Sequence, residues 1–584
     1  MKINLQNIYK TAFFISIFNI LLIIVDFGFE QSLYFENLIN GFYFIVLFIG
    51  LMNISFRHIL DRKSEYSFKI KILDALIFLF ILFIIYHHLF VIPYEGLNTL
   101  WIGDDWVILG VIIIFFREVS DRRVNLNRIS INPPQLFILS FLLIILLGTL
   151  LLMLPKATYR DISFIDALFT STSAVCVTGL VVVNTATAFT QLGQIFILIL
   201  IQIGGIGILT VASYFSYFFK GGSSYRNQLI LGDITNTNKL GEVFSTLKYV
   251  LVITFTIELI SAILIFISLG SHNSIGNFAD TLFFSGFHAI SAFCNAGFST
   301  LSQNLYDSGV NTNYSLQLVI CITFIIGGLG FPIVVNLLRY LKHKILMIIP
   351  FTGHKNPHKP WLLNLSSRIT LITTFGLIVS GTIFFYFLEQ DHAFAHQSES
   401  GKWVTALFTA TTPRTAGFNT LDLNELHLST IMLIFLLMWI GASPASTGGG
   451  IKTSTFAISI LNITSLGRGK EHVEVFRRRI ATVSLRRASA IISLSLVVIG
   501  LGIMLISIFD EEKQLLAIAF ECFSAYSTVG LSLGITADLS NVGKLVIIFI
   551  MFIGRVSMLS IVIALMKKVK EKAYSYPTEE IIIN

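Results

Sequence analysis

The sequence predicts an all-α polytopic membrane protein. Its plan is four pseudo-repeats around one pore, each a helix, a re-entrant pore helix with its filter loop, and a second helix, preceded by about four extra transmembrane helices. Three observations predict this. The 584 residues have a mean hydropathy of +0.80 and are only 12% charged, about half the charge of a soluble chain. Apolar runs fit to cross about 30 Å of hydrocarbon, which takes roughly 20 helical residues, recur twelve times. Between the later runs, one short glycine-ended segment recurs four times.

The first four runs lie near residues 9–28, 38–56, 70–93 and 99–116, in an N-terminal extension of residues 1–130. Eight more lie near 135–154, 192–218, 247–269, 315–338, 368–388, 429–466, 488–509 and 542–566. The first run follows Lys2 and Lys10 and has no small-residue cleavage site behind it, so it reads as a retained span. Basic stretches mark the cytoplasmic side. Residues 57–71, 117–128, 339–359, 468–487 and 567–572 are basic, whereas 29–37, 391–425 and 510–512 are acidic or neutral. With twelve spans, both termini then lie in the cytoplasm, beneath a cell (inner) membrane. The net charge of +7 is therefore a topology signal, and nucleic acid is not an expected partner.

The recurring segments are FTSTSAVCVTGL, FHAISAFCNAGF, FTATTPRTAGFNT and CFSAYSTVGLS. Anchored on Gly179, Gly297, Gly417 and Gly530, they stand 118, 120 and 113 residues apart. A hydroxyl residue stands six positions earlier in each: Ser173, Ser291, Thr411 and Ser524. Phe169, Phe287, Leu407 and Phe520 stand ten earlier, and Leu180, Phe298, Phe418 and Leu531 one later. The repeats so defined span about 133–220, 244–343, 366–470 and 484–570, in a pore domain of 131–571 that ends in a tail of 572–584.

Each segment holds a helix of about ten residues, which rises only about 15 Å and cannot cross a bilayer. It must enter and return on one side, and irregular backbone at that depth survives only where protein buries it or water bathes it. A strand that turns successive carbonyls inward needs backbone angles open mainly to glycine. Rings of such carbonyls replace the water shell of an ion in a potassium filter. One glycine could merely turn the chain between helices; four in register point to a filter. Its expected residues are Val177, Thr178, Gly179, Asn295, Ala296, Gly297, Thr415, Ala416, Gly417, Thr528, Val529 and Gly530, with potassium held by their carbonyls.

The spans after the first two glycines carry IGGIGI (Gly204, Gly205, Gly207) and IGGLGF (Gly327, Gly328, Gly330), which let helices approach closely. The third differs. In WIGASPASTGGGIKTST, about 13 apolar residues precede and about 14 follow a polar break, so each half spans only roughly 20 Å. Polar backbone at that depth should line the conduction path. Gly441, Ser443, Ser446, Thr447, Gly448, Gly449, Gly450 and Lys452 are therefore expected to form a gate below the filter; a packing kink is the plainer alternative. Buried charges call for partners. Arg414 and Glu521, in neighbouring repeats, are expected to pair behind the filter, with separate solvation at the outer mouth as the alternative. Cys176, Cys294, Cys321 and Cys522 have no disulfide or zinc spacing and read as packing residues.

These motifs, VTGL, NAGF, RTAGFNT, STVGLS, GGIG, GGLGF, GGGIKT and GRVSML, span residues 133–571 and resemble the Trk/Ktr/HKT superfamily of potassium transporters, most closely its bacterial Ktr-type and Trk-type pore-forming membrane subunits. The resemblance implies a fourfold pseudosymmetric pore in one chain, a homodimer with one pore per subunit, and a cytosolic ring of nucleotide-binding regulatory subunits. It implies potassium uptake, with glycine at all four filter positions going with potassium preference; a proton- or sodium-coupled monovalent cation symporter using the same site is the alternative. It also places Arg555 beside the broken loop, as a barrier to cations when the loop is closed. The chain has no G-x-G-x-x-G between a strand and a helix, so nucleotide is expected on the partner and no cofactor on this chain. No nucleophile or metal motif converges, so an enzyme is not expected. The family's core has no place for the first four spans.

Overall fold

A computed structural model of the chain describes residues 5–59, 68–88, 104–121, 133–207, 243–270, 276–307, 309–348, 363–566 and 579. The first four helices, α1 (Leu5–Gly28), α2 (Leu33–Ile59), α3 (Phe68–Tyr86) and α4 (Asp104–Asp121), pack on one another around Tyr43, Leu47, Ile81 and Val111. Their outward faces carry exposed Phe18, Phe48, Leu79 and Leu82, as helices bathed in lipid do. The charges gather at one end. Arg57 pairs with Glu118 at 2.6 Å, Arg117 grips Asp74 at 2.6 and 2.9 Å, and His58 Nε2 lies 2.8 Å from the same Asp74. Asn53 donates to the other Glu118 oxygen at 2.9 Å. The opposite end meets the rest of the chain, where Gly28 lies against Leu154 and Lys156 Nζ reaches the Asp26 carbonyl at 3.5 Å.

Sixteen α-helices follow among the described residues; apart from the single turn Thr185–Ala188, they fall in four successions. The first is α5 (Pro133–Leu152), α6 (Phe164–Cys176) and α7 (Gln191–Ile206). The second is α8 (Val243–Leu269), α9 (Phe278–Cys294), α10 (Tyr314–Leu329) and α11 (Phe331–Ile348). The third is α12 (Leu365–Glu389), α13 (Glu399–Thr411), α14 (Leu428–Trp439) and α15 (Thr453–Gly467). After a two-stranded hairpin, Glu474–Val475 against Arg478–Arg479, the fourth is α16 (Thr482–Phe509), α17 (Leu515–Ser527), α18 (Asn541–Val556) and α19 (Met558–Leu565).

The short helices α6, α9, α13 and α17 have 13, 17, 13 and 13 residues. Side chains at their starts take up N–H groups that a first turn leaves without partners. Ser163 accepts from Asp166 N, Ser398 accepts from Gly401 N, and Asn277 forms a capping box with Asp280. The packing closes in a cycle: α7 contacts α9, α10 contacts α13, α14 contacts α17, and α18 contacts α6. Glycine allows this approach. A Cβ on Gly204, Gly327 or Gly554 would overlap the carbonyl of Val175, Phe293 or Tyr526 at the end of its short helix.

Among the described helices, six are long and apolar enough to cross a membrane, or eight if each bent pair is one span. Three of the expected spans are not continuous. The run at 315–338 turns by 105° at Gly330, and that at 542–566 by 86° at Ser557. The run at 192–218 loses its helix after Ile206, at Gly207; residues 208–218 lie outside the described ones. All three break residues have positive φ, 85° at Gly207, 84° at Gly330 and 74° at Ser557, which a right-handed helix cannot continue through. The break at 441–452 is thus the enlarged form of one at the same place in each succession. The tail of 572–584 lies outside the described residues except for residue 579.

Candidate functional site

The four glycines are brought together. After α6, α9 and α17 the chain enters left-handed backbone at Val177, Asn295 and Thr528, with φ of 58°, 60° and 51°, and Thr415 matches them at 80°. Such angles at β-branched residues cost of order 1–3 kcal/mol each and persist only where the surroundings impose them. Two residues on, Gly179, Gly297, Gly417 and Gly530 have φ of 89°, 68°, 76° and 92°.

Each bare Cα faces the next loop. A Cβ on Gly179 would overlap the Ala296 carbonyl oxygen, and one on Gly297 would lie 2.9 Å from the Gly417 Cα. On Gly417 it would strike the Val529 carbonyl, and on Gly530 the Thr178 carbonyl. The contacts run from 179 to 297, 417, 530 and back to 179, a closed ring with no space for a side chain. All four glycines line one cavity of about 360 Å³, together with Asn304, Asn419, Asp422 and Ser532.

Each loop is tied to the helix before it. Thr178 N, Ala296 N and Val529 N donate to Ser173 O, Ser291 O and Ser524 O at 2.8, 2.7 and 2.9 Å. Ser173 Oγ and Ser524 Oγ accept from Gly179 N and Gly530 N at 3.1 and 3.0 Å, while Ser291 Oγ donates to Phe298 O at 2.8 Å. In the third loop the expected counterpart, Thr411, is displaced by one residue. Thr412 Oγ1 donates to Phe418 O at 2.6 Å, and Ala416 N donates to Thr412 O at 2.9 Å. Pro413 has no N–H with which to continue α13, so that helix stops at Thr411 and a turn fills the gap.

The expected ion pair of Arg414 and Glu521 does not form. Glu521 Oε1 is taken by the hydroxyls of Ser532 and Thr536, in the loop after its own glycine. Arg414 instead reaches Thr374 Oγ1 at 3.4 Å, beside a small cavity lined by Gly328, Thr411 and Ala442. The pair that does join two successions is Lys544 with Asp166, at 2.8 Å between α18 and α6. Gln202 on α7 donates to both oxygens of Glu258 on α8, at 3.0 and 3.1 Å.

The polar break between α14 and α15 sits directly against the loops. Ile440 and Ile451 pair as a parallel bridge, and Gly441 packs on the Gly449 carbonyl. The Asn295 amide lies 3.2 Å from both Thr447 Oγ1 and Thr415 Oγ1, and Gly449 N donates to Thr528 Oγ1 at 2.8 Å. Gly448 is bare against Thr415, and Gly450, with φ of 68°, against Ser527. The break therefore touches the second, third and fourth loops at the residue two before each glycine. On its other side Ser443 N donates to Gly328 O at 3.0 Å, and Ser446 Oγ closes onto Ser443 O at 2.6 Å. Lys452 Nζ folds back to the Gly448 carbonyl. Arg555 donates to both Thr447 O and Gly204 O, strapping the break to α7. All four cysteines are free and buried.

A family model described as "TrkH: Cation transport protein" matches residues 110–576. The chain belongs to the TrkH family. The match begins after α3, so the first three helices lie outside it. The Ktr system potassium uptake protein B of Bacillus subtilis is 36% identical over 455 residues, covering 78% of this chain and 97% of that one. The potassium/sodium uptake protein NtpJ of Enterococcus hirae is 34% identical over 464 residues, covering 78% and 98%. In fold, the chain resembles the crystal structure of the potassium transporter TrkH from Vibrio parahaemolyticus, with a TM-score of 0.59 at 18% identity over 86% of this chain and 99% of that one. This TrkH-family chain is thus a multi-pass membrane transporter, not an enzyme.

The breaks at Gly207, Gly330 and Ser557, the shift to Thr412 and the Lys544–Asp166 pair lie outside the expectations from the sequence. The GGIG, GGLGF and GRVSML motifs and Pro413 signal the first four. The ion pair has no signal, because Lys544 and Asp166 stand 378 residues apart.

Proposed function

We propose that this chain takes up potassium across the cell (inner) membrane through a filter of the four glycine loops. The observation that carries this reading is the closed ring of Gly179, Gly297, Gly417 and Gly530. In this account, pseudo-repeats of about 133–220, 244–343, 366–470 and 484–570 surround one pore in a domain of 131–571. The carbonyls of Val177 to Gly179, Asn295 to Gly297, Thr415 to Gly417 and Thr528 to Gly530 replace the water shell of the ion. Left-handed backbone two residues before each glycine favours this, because it changes the direction of successive carbonyls.

The loop of 441–452 is the gate, held shut by Arg555. Its hydrogen bonds to the second and fourth loops, its contact with Thr415 of the third, and the Arg555 strap between Thr447 O and Gly204 O support that role, since opening it requires breaking each of them. The names of the Ktr-system relatives favour a separate regulatory subunit, and we expect the chain to work as a homodimer on a cytosolic ring of nucleotide-binding subunits. Both termini then face the cytoplasm, and the extension of 1–130 and the tail of 572–584 flank the pore domain. The name of the Enterococcus relative favours a second reading, in which sodium shares or drives the same path.

Growth of a potassium-uptake-deficient bacterial host at low potassium tests the assignment, with and without candidate nucleotide-binding partners. The wild-type chain should restore growth, and Gly297→Ala or Gly417→Ala should abolish it at unchanged membrane abundance. Full uptake by both variants would overturn the filter assignment.

A further inference from the structure

A cluster outside the ring joins the C-terminal end of α12 to the start of α14. Glu389, His392 and His427 place one ligand atom each within 4.8 Å of the others. Glu389 is fully buried. Its Oε1 is occupied, accepting from the Thr430 hydroxyl and from His427 N at 3.0 Å. Its Oε2 is buried without a hydrogen-bond donor, and His392 Nδ1 stands 3.4 Å away. The two imidazoles lie face to face, ring centroids 4.2 Å apart and tilted by 32°. The His392 side chain is 49% exposed and His427 is exposed, so the cluster opens to solvent on one side.

We propose that Glu389, His392 and His427 form a binding site for a first-row transition ion of the zinc type. Two imidazoles and one carboxylate with an open fourth position are a familiar zinc donor set. Imidazole donors favour zinc, copper or nickel over magnesium and calcium, which take oxygen ligands. In a tetrahedral site with bonds near 2.1 Å the ligand atoms stand roughly 3.4 Å apart; Glu389 and His392 already do, so it is His427 that must close in, by up to about 1.4 Å. His427 can supply this, because it precedes the first residue of α14, and His392 lies in a turn. Glu389 is already fixed by its second oxygen, which holds a ligating carboxylate in place. The buried Oε2, which makes no hydrogen bond and is faced by His392 Nδ1 at 3.4 Å, is the feature that packing alone does not explain. The charge pattern assigns residues 391–425 to the outer face, so the ion would come from outside the cell. Once bound, it would pin α14, the outer half of the broken span, to α12.

The test is calorimetric titration of the detergent-solubilised full chain with ZnCl2, with MgCl2 as control and CoCl2 as a visible-absorption probe of tetrahedral geometry. Wild-type protein should bind zinc with one component that magnesium does not displace. His392→Gln and His427→Gln should each weaken that component by at least about tenfold, since loss of even outer-shell partners costs 10–100-fold. Zinc should raise the melting temperature of the wild type and leave that of the double variant unchanged. Because both histidines are exposed, their variants should fold. Equal zinc affinity and stoichiometry in the wild type and both variants would overturn the proposal, as would displacement of zinc by magnesium.

Discussion

The N-terminal bundle and the glycine-ringed core solve the same problem in opposite ways. Both place polar groups where lipid surrounds the protein, and both must satisfy them internally. The bundle does so with side chains: Arg57, Asp74, Arg117 and Glu118 meet at one end of four unbroken helices. The core does so with backbone, through breaks at Gly207, Gly330 and Ser557, bare glycines against carbonyls, and hydroxyls that tie each loop to its helix. Side-chain pairs hold helices together without opening a path. Backbone carbonyls freed from helices form a surface that an ion can use. On the proposed reading, the difference separates a region built for packing from one built for passage; the family match, from residue 110 onward, omits α1 to α3 and takes in most of α4.

The largest expected effect tests the bundle. Arg57→Leu leaves the buried Glu118 carboxylate with its hydrogen bond from Asn53 but without its cation, and loss of one member of a buried pair costs about 3–5 kcal/mol. The melting temperature of the solubilised chain should fall, and Arg57→Leu with Glu118→Leu should recover most of it. Potassium uptake per folded molecule should hardly change; a proportional loss would mean that the bundle takes part in passage.

Next comes the strap across the core. Arg555→Ala removes the bonds to Thr447 O and Gly204 O and a cation beside the path. Initial uptake rates should rise several-fold at equal abundance, and unchanged or reduced rates would argue against the gate. The smallest effect distinguishes two adjacent hydroxyls. Thr412→Val leaves the Phe418 carbonyl without its donor and should cost about 1–3 kcal/mol in thermal stability. Thr411→Val removes bonds back to Leu407 O and Phe408 O within its own helix and a weak contact with Cys321 Sγ, and should cost less. The reverse order would restore the spacing read from the sequence.

Much of this was legible in advance. Twelve apolar runs, four glycines in register and the broken third span depend on composition and spacing, which a linear reading registers well. Direction is harder to read. Apolar composition alone makes α18 and α19 read as one span, and only the Arg-Val-Ser of GRVSML within that run marks the place where Ser557 takes a φ of 74°. Counting back six residues gave Thr411, because the count ignored what Pro413 does to the end of a helix. Arg414 and Glu521 match by charge and repeat position, yet the hydroxyls of Ser532 and Thr536 in the following loop take the Glu521 carboxylate. The Glu389, His392 and His427 cluster was invisible for the same reason: α14 must first fold back beside α12.

The central claim is that four equivalent glycine loops select the ion, and the potassium-to-sodium flux ratio of Gly179→Ser in proteoliposomes tests it most directly. A serine there puts a side chain into the Ala296 carbonyl of the next loop. The ratio should fall by about tenfold or more as the carbonyl ring is distorted. An unaltered ratio, in variant protein that still conducts potassium, would contradict the claim.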